Sequence, residues 1–253
     1  MTALARARRR ALTVSTFCAG VAVALSGCLG GDPDAGTNGV GKLQPAQIEK
    51  KAFAAARSAQ AVRLSGTVVS RGKTYRLRMQ LKDSGGHGKV ASEGGSTFEL
   101  LRVKKALYLK ANTGFWASQG KGGKKPSERD RKAAQHLKGK YVKVPASDPA
   151  YRQLRGFTEM KVLLDGLLAL DGERHTGERG EVDGMRTVRV TANEGKGGTV
   201  DVALHGTPYP RRLVRGGGAG TVQLSGWNEG FQLSVPKKDQ VVDYGKQISA
   251  DGS

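Results

Sequence analysis

Thiols are almost missing from this chain: 253 residues hold two cysteines, Cys18 and Cys28, and both lie near the N-terminus. Beyond them no disulfide, thiol nucleophile or cysteine-rich metal site can form, so the fold must rest on its apolar core. Aromatics are few at 6% of residues, and none is interleaved with the basic stretches in the way a nucleic-acid surface needs, so no nucleic-acid partner is expected. Acids are short too, at 22 Asp and Glu against 42 Lys and Arg, a formal charge of +20. Such a surface favours anionic partners. The four histidines, His87, His136, His175 and His205, are scattered without ligand spacing, so neither a metal nor another cofactor is expected. No G-x-S-x-G nucleophile motif is present. Asp165, Asp171 and Glu173 form a tight acidic group, but with no partner base they read as a helix end. Gly72-Lys73-Thr74 lacks the glycine five positions earlier that a phosphate loop needs, because Thr67 stands there.

What is present begins with a basic cluster, Arg6, Arg8, Arg9 and Arg10, followed by an apolar run from Ala11 to Leu25. The run is too short to span a bilayer comfortably, since a spanning helix needs about 20 apolar residues. Basic head, apolar middle and small residues at the exit make a secretory signal. Its end, Leu25-Ser26-Gly27-Cys28, resembles the lipobox of bacterial lipoproteins. That resemblance implies cleavage before Cys28 and a diacylglycerol on its thiol. It places the protein at the cell envelope, lipid-anchored on the outer face of the cytoplasmic membrane. Removal of residues 1–27 takes away four Arg and no acid, so the charge falls from +20 to +16. The triple arginine leaves open whether export is general or by the twin-arginine route.

Residues 28–42 are rich in Gly, Asp and Asn and read as a flexible tether. A helix is expected from Pro45 through Ile48, Ala52, Ala55, Ala56 and Ala59. The period then changes to two. Val62, Leu64, Gly66 and Val68 alternate with polar residues; after a turn at Arg71-Gly72, Tyr75, Leu77, Met79 and Leu81 alternate with Arg76, Arg78, Gln80 and Lys82. Gly85-Gly86 reads as a loop. Strands are expected at 96–103 and 106–111, and Ser127 with Asp130 reads as a capping box opening a short helix. A strand at 141–145 and a helical piece at 148–155 follow. Thr158 is expected to cap a helix whose Met160, Leu163, Leu164, Leu167 and Leu168 share one face. The remainder reads as strands: 185–192 after an Asp183-Gly184 turn, 199–205, and pieces at Leu213–Val214, Val222–Leu224 and Phe231–Val235. One domain over 43–245 and a disordered tail over 246–253 complete the reading.

A helix, antiparallel strands, a helical insert and more antiparallel strands make an α+β pattern. The mature chain resembles the actinobacterial LppX/LprA/LprF/LprG lipoproteins. The resemblance is carried by Ser58–Gly66 at the junction of helix and first strand, by Ala106–Lys110 followed by Phe115-Trp116, and by Gly139–Val144. It implies a half-barrel: a curved antiparallel β-sheet covered on its inner face by helices, similar to the LolA/LolB carriers. Family members hold acylated lipids between sheet and helices and are thought to move them across the envelope. Acylated lipid is therefore the expected ligand, the membrane the expected partner through the anchor, and a monomer without enzymatic activity the expected form.

In that reading Tyr75, Leu77, Met79, Leu81, Met160, Leu163, Leu164 and Leu167 line a lipid cavity; the plainer reading makes them ordinary closed core. Phe115 and Trp116, beside Lys121, Lys124 and Lys125, are candidates for membrane contact, with rings at headgroup depth and lysines on phosphates. Equally they could form a buried anchor under a solvated loop. The alternative function is an anchored, non-enzymatic interaction or sensor domain whose basic surface binds anionic envelope polymers or a protein partner.

Overall fold

Stretches of period two recur along the chain, and in the computed structural model the strands they form join one twelve-stranded sheet. The described residues are 32, 34–70, 72–93, 95–119 and 124–242. Leu25, Ser26, Gly27, Cys28 and Lys121 lie outside them, as does the tail expected over 246–253.

In chain order the elements are α1 (Pro45–Ser58), β1 (Ala61–Ser70), β2 (Lys73–Lys82), β3 (Gly85–Ser92), β4 (Thr97–Val103), β5 (Ala106–Ala111), α2 (Thr113–Ser118), α3 (Glu128–Gln135), β6 (Tyr141–Val144), α4 (Pro149–Gly156) and α5 (Met160–Leu167). There follow β7 (Arg174–Val182), β8 (Met185–Ala192), β9 (Thr199–Ala203), β10 (Pro210–Val214), β11 (Gly220–Ser225) and β12 (Val241–Val242). The sheet order is β12-β6-β5-β4-β3-β2-β1-β11-β10-β9-β8-β7, open and curved, which is the expected α+β half-barrel. Neighbouring strands pair antiparallel throughout, except β12 on β6, which is parallel.

Local chemistry explains the helices. Pro45 opens α1 at its first position, where its missing N–H costs nothing. Ile48, Ala52 and Ala56 recur at four-residue spacing and are buried, so small residues bring α1 close to β7–β10. Glu49 of α1 accepts from Arg174 of β7 at 2.7 Å. The expected capping box holds: Ser127 accepts from the Asp130 amide, and Asp130 from the Ser127 amide. Asp148 caps α4 by accepting from the Ala150 amide at 2.8 Å.

Several expectations are corrected. Gly85-Gly86 is the start of strand β3, not a loop. Phe231, Leu233 and Val235 form no strand. They belong to a strap of irregular backbone that leaves β11 and crosses the outer face of the sheet. Along it Glu229 pairs with Arg63 at 2.8 Å, the Phe231 ring packs edge-on to His87 at 5.5 Å, and the Asp239 carbonyl accepts from Lys140 at 2.7 Å. The expected tether is docked from Asp34 onward. Asp34 is buried and accepts from Arg179 at 2.6 Å, Val40 is buried, and Asn38 donates to the Ala203 carbonyl at 3.1 Å. A carboxylate with a guanidinium waiting on β7 is better held there than in free coil.

Candidate functional site

Strand β2 builds the floor of the site. Its alternation turns Tyr75, Leu77, Met79 and Leu81 inward, where all four are buried. Leu64 of β1, Leu100 of β4 and Leu107 and Leu109 of β5 extend the apolar face on either side. Helix α5 supplies the cover: Met160, Leu164 and Leu167 are buried against the same core, and Leu163 packs at its margin. All eight residues expected around a lipid are thus brought together. Leu77 and Leu81 are 0% exposed and Leu164 and Met160 1%, so these four side chains are packed against protein.

One position breaks the apolar lining of this interior. Phe98, Leu100 and Arg102 share the inward phase of β4, and Arg102 is only 6% exposed. It is the one buried lysine or arginine among the described residues. Its Nη2 donates to the Thr158 carbonyl at 2.8 Å, its Nε to the Thr158 hydroxyl at 3.1 Å, and its Nη1 to the Lys104 carbonyl at 2.8 Å. Burial lowers its pKa from the ordinary arginine value, partly offset by the charge of Glu159. Thr158 is fully buried in the link between α4 and α5. It does not cap α5, as the sequence suggests; Glu159 occupies that position, and the Thr158 hydroxyl turns to the Arg155 carbonyl at 2.9 Å.

The close approach of Thr158 to the sheet depends on Gly86, the cross-strand partner of Arg102. A Cβ on Gly86 would sit 3.3 Å from the Thr158 carbonyl oxygen and 2.6 Å from a Leu81 methyl. A glycine on β3 and a charge in the inward phase of β4 therefore form a polar latch for the α4–α5 pair. The sequence reading gives Gly86 to a loop and Thr158 to a helix cap and passes over Arg102; the charge in an inward strand position was the signal that could have found the latch. Further ties are weaker or peripheral. Tyr151 of α4 donates to the Lys105 carbonyl at 2.8 Å, and the exposed pairs Lys161–Asp83 at 3.6 Å and Arg57–Asp165 at 2.9 Å join α5 to the β2–β3 turn and to α1. Exposed pairs of this kind are worth about 0–1 kcal/mol each.

The membrane-contact reading of Phe115 and Trp116 gives way to the buried anchor. Phe115 is 1% and Trp116 4% exposed, and Phe115 packs on Phe98 at 5.6 Å. The reason is local: Asn112 accepts from the Phe115 amide at 2.8 Å, starting α2 and turning both rings into the core. Lys124 and Lys125 are exposed as expected. No described helix is long and apolar enough to cross a membrane, and no cluster of three or more metal-ligating side chains occurs among the described residues.

No protein-family model matches the chain, and no curated protein matches it. Among solved structures, the fold is similar to that of LprF from Mycobacterium bovis, with 16% identity and a TM-score of 0.52 over 76% of this chain and 96% of that one. An uncharacterized conserved protein from Thermus thermophilus aligns over 79% of this chain and 99% of its own, with 10% identity and a TM-score of 0.34. The first likeness shows the fold; the second carries no argument.

Proposed function

We propose that this protein is a membrane-anchored lipoprotein, lipidated at Cys28, that binds acylated lipid between the sheet and the α4–α5 pair and carries it through the cell envelope without chemistry. The observation that carries the reading is the contrast within the cover: an apolar seat for Met160, Leu164, Leu167 and Leu168, and a buried polar hold at Arg102 and Thr158. Burying four such side chains contributes about 6–12 kcal/mol, at roughly 1.5–3 kcal/mol each. An acyl chain of about 16 carbons offers a similar amount, at roughly 0.8 kcal/mol per methylene. Lipid under the lid would therefore exchange one apolar contact for another of like strength, and the latch sets which state prevails. A likeness of fold to LprF supports the same reading.

The test is native mass spectrometry with lipid extraction on the full chain purified from a lipoprotein-processing bacterial host. Bound acylated lipid that is lost in Leu164→Trp and Leu77→Trp, both still folded, is the expected result. A wild-type protein that carries no lipid and takes up no fluorescent fatty-acid probe would refute it.

A further inference from the structure

The outer face of the sheet carries a second arrangement, on the side away from the apolar interior and independent of the lipid reading. Near each end of one cross-strand row a carboxylate is shared by two cations. Glu99 takes Lys110 at 2.6 Å and Lys89 at 3.2 Å. Asp201 takes Arg212 at 2.6 Å and Arg189 at 2.8 Å. Between these two ion-pair triads, in each of which the carboxylate is satisfied, the row runs through Arg78, Ser65 and Gln223, one residue from each of β2, β1 and β11.

Among the described residues Arg78 has no carboxylate within ion-pair distance. Its direct partners across the ladders are Ser65 on one side and Lys89 on the other. Like charges directly opposite each other on a sheet are destabilising, so nothing in the fold's stability calls for arginine at this position. Arg78 borders a depression of about 350 Å³, shared with Arg63, Ser65, Gln80, His87 and Ser225. Two guanidinium groups, two hydroxyls, an amide and an imidazole surround it, and no carboxylate among the described residues lines it. Two acids stand nearby: Glu229 of the strap engages Arg63 from an exposed position at 2.8 Å, and Glu99, held by Lys110 and Lys89, is close enough to act on His87. A guanidinium fork matches carboxylate and phosphate alike, and the added hydroxyl donors, so that donors come from three strands, give partners to the further acceptor oxygens of a phosphate. The volume accommodates such a group together with several waters, at roughly 30 Å³ each.

We propose that this depression binds a phosphate-ester group, with Arg78 as its principal ligand and Arg63, Ser65 and Ser225 as supporting donors. The group is carried either on a small soluble molecule or on a lipid headgroup, and the two sources are separated by the choice of probe. The full chain in neutral detergent is titrated calorimetrically with glycerol 3-phosphate. The same chain is assayed by flotation with phosphatidylcholine vesicles containing phosphatidic acid. Saturable binding of either probe that falls about tenfold or more in Arg78→Gln, but stays within about twofold in Lys143→Gln, is the expected result. The second variant removes an equal charge from the same face at a residue outside the depression. The thermal midpoint of Arg78→Gln should equal or exceed that of the wild type, since the variant also relieves the opposition to Lys89. Equal losses in the two variants, or no saturable binding of either probe, would overturn the proposal.

Discussion

Replacing Arg102 with Met removes the polar latch while keeping most of the volume of the side-chain stem. Three donor contacts disappear, but they do not cost the same. Lys104 is exposed, so its carbonyl regains water. The Thr158 hydroxyl keeps its own bond to the Arg155 carbonyl. The Thr158 carbonyl, in a fully buried residue, is left without the Arg102 donor, at a cost of about 1–3 kcal/mol. Part is returned, because burial already disfavours the charged guanidinium. The net effect is a loss of about 1–2 kcal/mol confined to α4 and α5, a factor of roughly 5–30 in the population of opened lid. Amide hydrogen exchange, under conditions where reclosing is fast, reads this directly. Amides of 149–168 should exchange faster by that factor, those of β1 and β2 should not change, and uptake of a fluorescent fatty acid should quicken. Unaltered protection over 149–168, or an equal loss across the whole sheet, would refute the latch.

Two other outcomes follow from single residues. Burial holds the His87 imidazole below its ordinary value of 6.5, against a smaller opposing pull from Glu99. Below pH 6.5 the unfolded chain therefore binds more protons at this position than the folded one, and stability falls with pH from there down to the folded pKa. In urea titrations between about pH 7 and 5, His87→Gln should lose less stability than the wild type; identical slopes would count against the burial of this ring beneath Phe231. Gly166 lies inside α5 with open space where a Cβ would be, so Gly166→Ala should stabilise the helix by about 0.5–1 kcal/mol and slow exchange of the lid amides.

The floor of the site was legible because β2 alternates without interruption: Tyr75, Leu77, Met79 and Leu81 against four polar residues. Its neighbour β3 was not, because the inward positions Gly86 and Gly88 hold no side chain to mark a phase. Their space is taken by Leu81 and Met79 from the adjoining strand, whose atoms would stand 2.6 and 2.5 Å from an added Cβ. Phe231, Leu233 and Val235 show the opposite failure. Phe231 and Leu233 are half-buried because they lie across the sheet rather than pair along its edge, and Val235 is exposed. Asp34 read as solvated coil because its partner Arg179 is 145 residues away, and a short stretch of sequence carries no trace of a contact at that range. Arg102 belongs to the same class: its strand was found, and its purpose lay in a carbonyl of the α4–α5 link.

The parallel pairing of Val241 with Tyr141 joins segments made far apart in the order of synthesis. Strand β6 pairs with β5 through residues already synthesised, yet its other side waits for a strap about one hundred residues later in the chain. During that interval β6 is an unprotected edge, with a row of unpaired amides and carbonyls of the kind that templates association between chains. A nascent or clipped chain ending before Val241 would keep its interior and still be hazardous to its neighbours. The strap over the outer face thus covers an edge that the strands before it leave bare.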